Sequence, residues 1–182
     1  MAKRVLAIMV IIMVVFTGSI GVKAEQGSDE NRVYVEELTA DQAEAIDNYV
    51  SSVKIMVDPL LNTRYDTLPT GYWNISVAGP YEFFFDGMQY YTYSNYYFTP
   101  SASGSLYMRA TSFDSEGEQI KIKLYKVNDT YPVYTWTGNP ENIYGLAFNG
   151  LNQGNLYYFK FEAYESPYVT GWGYICHNYN DV

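Results

Sequence analysis

One cysteine and one histidine are all that 182 residues contain of the two commonest zinc and redox side chains. Cys176 alone closes no intramolecular disulfide, and Cys176 with His177 falls short of a zinc site, which needs three or four protein ligands. Basic residues are scarce as well: 11 against 20 acids, for a formal net charge of −9. Nucleic-acid binding depends on Lys and Arg neutralising phosphates, and adsorption to an anionic membrane depends on the same charges. Neither partner is expected. No glycine-rich loop of phosphate-cradling form is present. Long apolar runs are missing too, with a single exception at the start of the chain.

That exception is Val5 to Phe16, preceded by the positive pair Lys3 and Arg4 and followed by Val22-Lys23-Ala24. A charged n-region, an apolar h-region and small residues at the cleavage point spell a secretory signal peptide over residues 1–24. The alternative is an uncleaved anchor, but a membrane span takes about 20 apolar residues, and Thr17, Gly18 and Ser19 dilute the run early. No cysteine near Ala24 offers a lipid attachment point, and no apolar C-terminal tail follows. Leu68-Pro69-Thr70-Gly71 is one residue short of the wall-sorting pentapeptide and reads as a turn. The expected product is secreted and extracellular, free of the membrane after cleavage. Without Lys3, Arg4 and Lys23 it keeps eight basic and 20 acidic residues, a net charge of −12. Its size suits one domain with a self-sufficient core.

Residues 25–63 read as a polar lead-in followed by one amphipathic helix. Thr39 and Gln42 form a capping box, in which each side chain satisfies the other's backbone donor. Ala43, Ile46, Val50, Val53 and Val57 recur at helical spacing, giving one apolar stripe to bury. Pro59 stops the helix. From residue 64 to 182, runs of Tyr, Phe, Thr and Val are broken every several residues by Gly, Pro, Asn and Ser, the pattern of short antiparallel strands. Strands are expected at 73–77, 81–85, 90–93, 105–113, 119–127, 133–137, 156–164 and 172–178, with Asp86-Gly87 as a hairpin turn. Ile120, Ile122 and Leu124 alternate with Lys121, Lys123 and Tyr125. Tyr157, Phe159, Phe161 and Ala163 alternate with Tyr158, Lys160, Glu162 and Tyr164. One apolar and one wet face per strand means two packed sheets or a barrel. The fold class is therefore mainly β, an antiparallel sandwich preceded by a short amphipathic helix.

Three segments carry a family resemblance. Tyr97-Phe98-Thr99 with Ser103-Gly104-Ser105-Leu106-Tyr107-Met108 is similar to a strand, Gly turn, strand opening. Ile120 to Tyr125 matches a central strand. Gly150-Leu151 through Gly154-Asn155-Leu156-Tyr157-Tyr158-Phe159-Lys160-Phe161 resembles a Leu-x-x-Gly-x-Tyr-Tyr-x-x-Val hairpin. Together the block from Tyr97 to Tyr174 resembles the bacterial prepeptidase C-terminal domain. The resemblance implies a jelly-roll-like sandwich and a non-catalytic adhesion or substrate-targeting role. This chain departs from that family in carrying lysines where the family has an Asp-rich central strand.

Catalytic chemistry has little to work with. His177 abuts Cys176, and neighbours on a strand point to opposite faces, so the two do not form a nucleophile–base pair. No pair of carboxylates is marked for glycoside hydrolysis. Asp114, Glu116 and Glu118 share one Gly-containing turn, where alternate carboxylates could converge on calcium; the plain alternative is a solvated acidic turn. The remaining clue is 21 tyrosines. A phenol offers a flat apolar face and a polar tip, suited to stacking on sugar rings or docking on extended protein ligands. Strand propensity and core filling account for most of them. Tyr125, Tyr158 and Tyr164, however, fall on faces expected to be wet, and with Trp136 and Trp172 they are the expected ligand-binding aromatics. Three readings follow: a secreted non-catalytic module binding a glycan or extracellular protein, a self-associating structural protein of the envelope or matrix, and a small carboxylate-dependent hydrolase.

Overall fold

Alternation along the strands is realised as two antiparallel sheets packed face to face. A computed structural model describes residues 33–52, 67–111, 119–138, 144–164 and 169–177. The expected signal peptide and the Asp114, Glu116 and Glu118 turn lie outside the described residues, as do Val53, Val57 and Pro59. Among the described residues no helix is long and apolar enough to cross a membrane.

In chain order the elements are β1 (Tyr34–Glu37), α1 (Ala40–Ser52), β2 (Gly71–Tyr72), α2 (Ile75–Ala78), β3 (Tyr81–Met88), β4 (Tyr91–Tyr93) and β5 (Tyr96–Tyr97). There follow β6 (Leu106–Thr111), β7 (Gln119–Lys126), β8 (Tyr134–Gly138), β9 (Tyr144–Asn149), β10 (Tyr157–Tyr164) and β11 (Val169–Cys176). One sheet runs β1-β9-β6-β11-β3 and the other β4-β10-β7-β8. β2 and β5 add a short parallel pair. Leu106, Met108, Leu146, Phe148 and Ile175 from the first sheet share one core with Ile120, Ile122, Leu124, Phe159 and Phe161 from the second. Ring contacts cross the gap, Phe83 to Phe161 at 4.8 Å and Phe148 to Phe159 at 5.2 Å. Burying such residues contributes about 1.5–3 kcal/mol each, so this interior holds the sandwich together without a disulfide.

Helix α1 lies on the outer face of the five-stranded sheet. Its capping box forms as the sequence implies: Thr39 N–H donates to Gln42 Oε1 at 2.9 Å, and Gln42 N–H donates to Thr39 Oγ1 at 3.3 Å. Ile46 and Val50 then pack with Cys176, Tyr107 and Tyr174. The buried Arg109 guanidinium reaches up from β6 to Asp47, donating through Nε and Nη2 at 3.0 Å each. Gly145 lets the helix approach β9, since a Cβ there would stand 3.3 Å from the Ala43 side chain of the helix and 3.0 Å from Leu38 just before it.

Several local expectations are corrected. Residues 73–77 are not a strand. Trp73 turns inward and its indole N–H donates to the Gly79 carbonyl at 3.0 Å, and Ile75–Ala78 forms the short helix α2. Asp86-Gly87 is not a hairpin turn; it lies within β3, whose register against β11 shifts between Val169 and Gly171. Thr170 Oγ1 bridges there, donating to Asp86 Oδ1 at 3.2 Å and accepting from Gly87 N–H at 3.1 Å. Strand β1 precedes the helix and pairs edge to edge with β9, which occupies a segment with no strand signal because Gly145 and Ala147 have low strand propensity.

Candidate functional site

The two outer faces of the sandwich are treated differently. α1 covers part of one. Among the described residues no element covers the other, the outer face of β4-β10-β7-β8. Register brings its side chains into rows: Tyr158 opposite Tyr125, Lys160 opposite Lys123 and Tyr93, Glu162 opposite Lys121 and Tyr91. Because successive residues alternate faces, all eight stand on the solvent side, back to back with Phe159, Phe161 and Ile122.

Their contacts make one cluster. The rings of Tyr125 and Tyr158 stack at 5.2 Å with 9° between planes. Tyr93 and Tyr97 meet Tyr158 edge-on at 5.8 and 6.0 Å. Tyr158 is thereby covered by other tyrosines to 7 % exposure, while Tyr91 remains 41 % exposed. Next to the rings, Glu162 accepts from Lys160 Nζ and Lys123 Nζ at 2.6 Å each. Lys160 Nζ also stands 4.1 Å from the centre of the Tyr91 ring, within cation–π range.

Electrostatics follow from this packing. Burial against neighbouring rings is the main reason the Tyr158 phenol is pushed up to about 12, with Tyr93 and Tyr125 adding to it. Burial also raises Tyr93, partly offset by Lys160. Burial alone would raise the Glu162 carboxyl, but hydrogen bonds from Lys123 and Lys160 outweigh it and hold the group below its usual range. For Lys160 burial favours the neutral amine, and the bond to Glu162 reverses that, leaving it raised. The face is a charged network around an aromatic floor, with both signs fixed near neutral pH.

The residues expected to bind ligand are only partly brought together. Tyr125 and Tyr158 meet. Trp136 does not join them: it turns inward from β8, is 7 % exposed, and donates its indole N–H to Glu37 Oε1 at 3.1 Å. Trp172 belongs to β11 in the other sheet, 38 % exposed on that sheet's outer face beside Tyr174. Tyr164 closes β10, and its side chain is not among those described. Tyr91, Tyr93, Tyr97, Lys123, Lys160 and Glu162 complete the cluster. Their alternation is visible in the sequence, but which strands adjoin is not.

A second place gathers polar groups. His177 Nε2–H donates to the Thr99 carbonyl at 2.8 Å, which leaves Nδ1 to accept from the Ser76 hydroxyl at 3.2 Å; this tautomer is assigned from the partners. A cleft of about 410 Å³ adjoins them, lined by Tyr49, α2, Gly79 and His177. Serine and histidine in contact are part of a nucleophile–base pair, which also needs a third group to orient the base. Here a backbone carbonyl stands where a carboxylate usually does. Among the described residues no three His, Cys, Asp or Glu side chains gather to hold a metal ion. Compared with protein-family models, curated proteins and solved structures, the chain finds no match.

Proposed function

We propose that this chain is an exported, non-catalytic binding module that engages an extracellular glycan or protein through the outer face of β4-β10-β7-β8. One observation carries the reading. Five tyrosines (Tyr91, Tyr93, Tyr97, Tyr125 and Tyr158) form a connected cluster on a sheet face left uncovered among the described residues. The rings bury one another in part, but Tyr91 stays 41 % exposed at the edge of the cluster, and contiguous aromatic surface on an uncovered face marks a contact site. Phenols supply contact area with few rotors to freeze. The Val5–Phe16 run behind Lys3 and Arg4 supports export, and the resemblance to the prepeptidase C-terminal domain implies the same class of role.

The test is retention of the full chain on immobilised polysaccharides and extracellular-matrix proteins. Replacing Tyr91 and Tyr125 with Ala should weaken binding about tenfold or more, the size expected for aromatic anchors. Circular dichroism unchanged from wild type checks that the fold survives. Undiminished binding by the double variant, or a wild-type chain that binds nothing on either panel, overturns the proposal.

A further inference from the structure

We infer that the protein pairs with a second copy of itself along the outer edge of β4, joining two four-stranded sheets into one. The inference stands apart from the ligand-binding role above. Its ground is the direction of the backbone groups in β4. Ala163 N–H donates to the Tyr90 carbonyl and Ser94 N–H to the Phe159 carbonyl, at 2.9 Å each, in the register that sets Thr92 opposite Phe161. In an antiparallel ladder, alternate residues turn their N–H and C=O toward the same neighbour. Residues 90, 92 and 94 therefore serve β10, and Tyr91 and Tyr93 turn their backbone groups away from it. β4 ends its sheet, and among the described residues no hydrogen bond reaches those groups. Tyr90 and Tyr91 are 77 and 41 % exposed, so the edge meets solvent.

This edge fits itself. A two-fold axis through Thr92 sets Tyr91 of each copy opposite Tyr93 of the other as hydrogen-bonded pairs, which engages every open N–H and C=O of Tyr91 and Tyr93. The two Thr92 residues then face each other as a non-hydrogen-bonded pair, with Cα atoms about 4.5 Å apart. Tyr91 and Tyr93 stand on the outer face, so tyrosine meets tyrosine across the seam, a favourable cross-strand pairing. The same register sets Gln89 opposite Asn95, and no charged residue lies between them. The nearest cations, Lys160 of each copy, are three strand spacings apart, about 14 Å, and each is held by its own Glu162.

Sheet edges are ordinarily guarded by charge, by a bulge or by a covering element. β1 carries Glu36 and Glu37. β3 carries Glu82 and Asp86 beside its shift in register. β8 is tied to β1 through Trp136 and Glu37. Of the edges of the two main sheets, β4 alone has neither charge nor tie. Its occupant must supply a strand free of charge whose donors and acceptors are spaced as its own are, and a second β4 does so. Pairing also makes the tyrosine clusters of the two copies continuous, so that one ligand chain would meet two sites in a row.

The test is sedimentation of the full chain between about 1 µM and 1 mM. A short edge buries little surface, so a monomer–dimer equilibrium with a dissociation constant of about 10–500 µM is expected. Thr92→Cys should cross-link into a dimer under diamide, because the expected Cα separation suits a disulfide; Thr130→Cys, exposed between β7 and β8, should cross-link at least tenfold less. Tyr91→Lys with Tyr93→Lys, and Tyr91→Glu with Tyr93→Glu, place like charges opposite each other and should each abolish the dimer, while an equimolar mixture of the two restores it. Circular dichroism checks that each variant is folded, and the cross-link needs neither charged variant. Equal cross-linking through Thr92→Cys and Thr130→Cys overturns the inference, as does a dimer undiminished in both charged variants. A chain that stays monomeric at 1 mM and does not cross-link through Thr92→Cys overturns it too, and leaves the edge to a strand of another protein. None of these measurements involves a glycan or matrix protein, so the binding role stands or falls separately.

Discussion

Tyr158 shows how a single side chain reports on this face. It is a phenol surrounded by phenols, and burial keeps its proton on until about pH 12 rather than 10. Above pH 10 an unfolded chain would release that proton while the folded one retains it, so the folded state binds more protons and its stability falls with rising pH. The contribution is complete below pH 10 and is lost as pH rises through about 12. Absorbance titration of the phenolates should show a late component, to which the raised Tyr93 and Tyr174 also contribute, and Tyr158→Phe should diminish it and lessen the loss of stability between those limits. A Tyr158→Phe protein with an unchanged late component would show that the cluster does not exclude water. The sequence placed Tyr158 on a wet face, and it does point outward. Its exposure was unreadable, because the rings that cover it come from β4, β5 and β7.

At the scale of the element, α1 is the part most legible in sequence. Capping boxes and helical stripes are local, since the partners lie within four residues of one another. Thr39, Gln42, Ala43, Ile46 and Val50 all act as their spacing implies. Removing the cap leaves helix donors without a partner, so Thr39→Ala should cost about 1 kcal/mol, read as a shift of the urea midpoint with the slope unchanged. No change would mean that packing on Cys176 and Tyr107 suffices to hold the helix. Short elements were less legible. Residues 73–77 have strand composition, yet the Trp73 indole finds Gly79 and the segment turns into α2. Asp86-Gly87 has the composition of a hairpin, yet β3 continues through it as an irregularity stitched to Thr170. In both places a contact with residues distant in sequence or at the segment's end overrides the local preference.

Across the whole molecule, the two sheets must approach closely enough for their aromatic layers to mesh. Gly173 sits on the inner face of β11, where a Cβ would meet the Phe83 ring at 2.6 Å and crowd the Arg109 carbonyl. Phe83 in turn touches Phe161 of the opposing sheet, so a methyl at 173 would push on the contact between layers. Overpacking of this kind costs about 1–3 kcal/mol, and Gly173→Ala should lower the melting temperature by several degrees, about 2–4 °C for each kcal/mol in a domain of this size. An unchanged melt would mean that the layers have slack. The same packing explains the tryptophans. Trp73 and Trp136 lie in the common core, and Trp172 lies on the outer face of the sheet that lacks the tyrosine cluster. No aromatic patch unites them, although Trp136 and Trp172 were expected beside the outward tyrosines.

Sequence by itself determined the fold class, the helix with its cap, the scarcity of cation, thiol and imidazole chemistry, and the division of β7 and β10 into wet and dry faces. These follow from composition and from periods of two and 3.6 residues, which operate within one segment. Only the tertiary structure decided the site. β10 lies between β4 and β7, and that order alone joins Tyr91 and Tyr93 to Tyr158 and gathers three lysines around Glu162. Strand order depends on how the whole set of apolar faces closes over one core, a sum over residues far apart in the chain that no local pattern encodes.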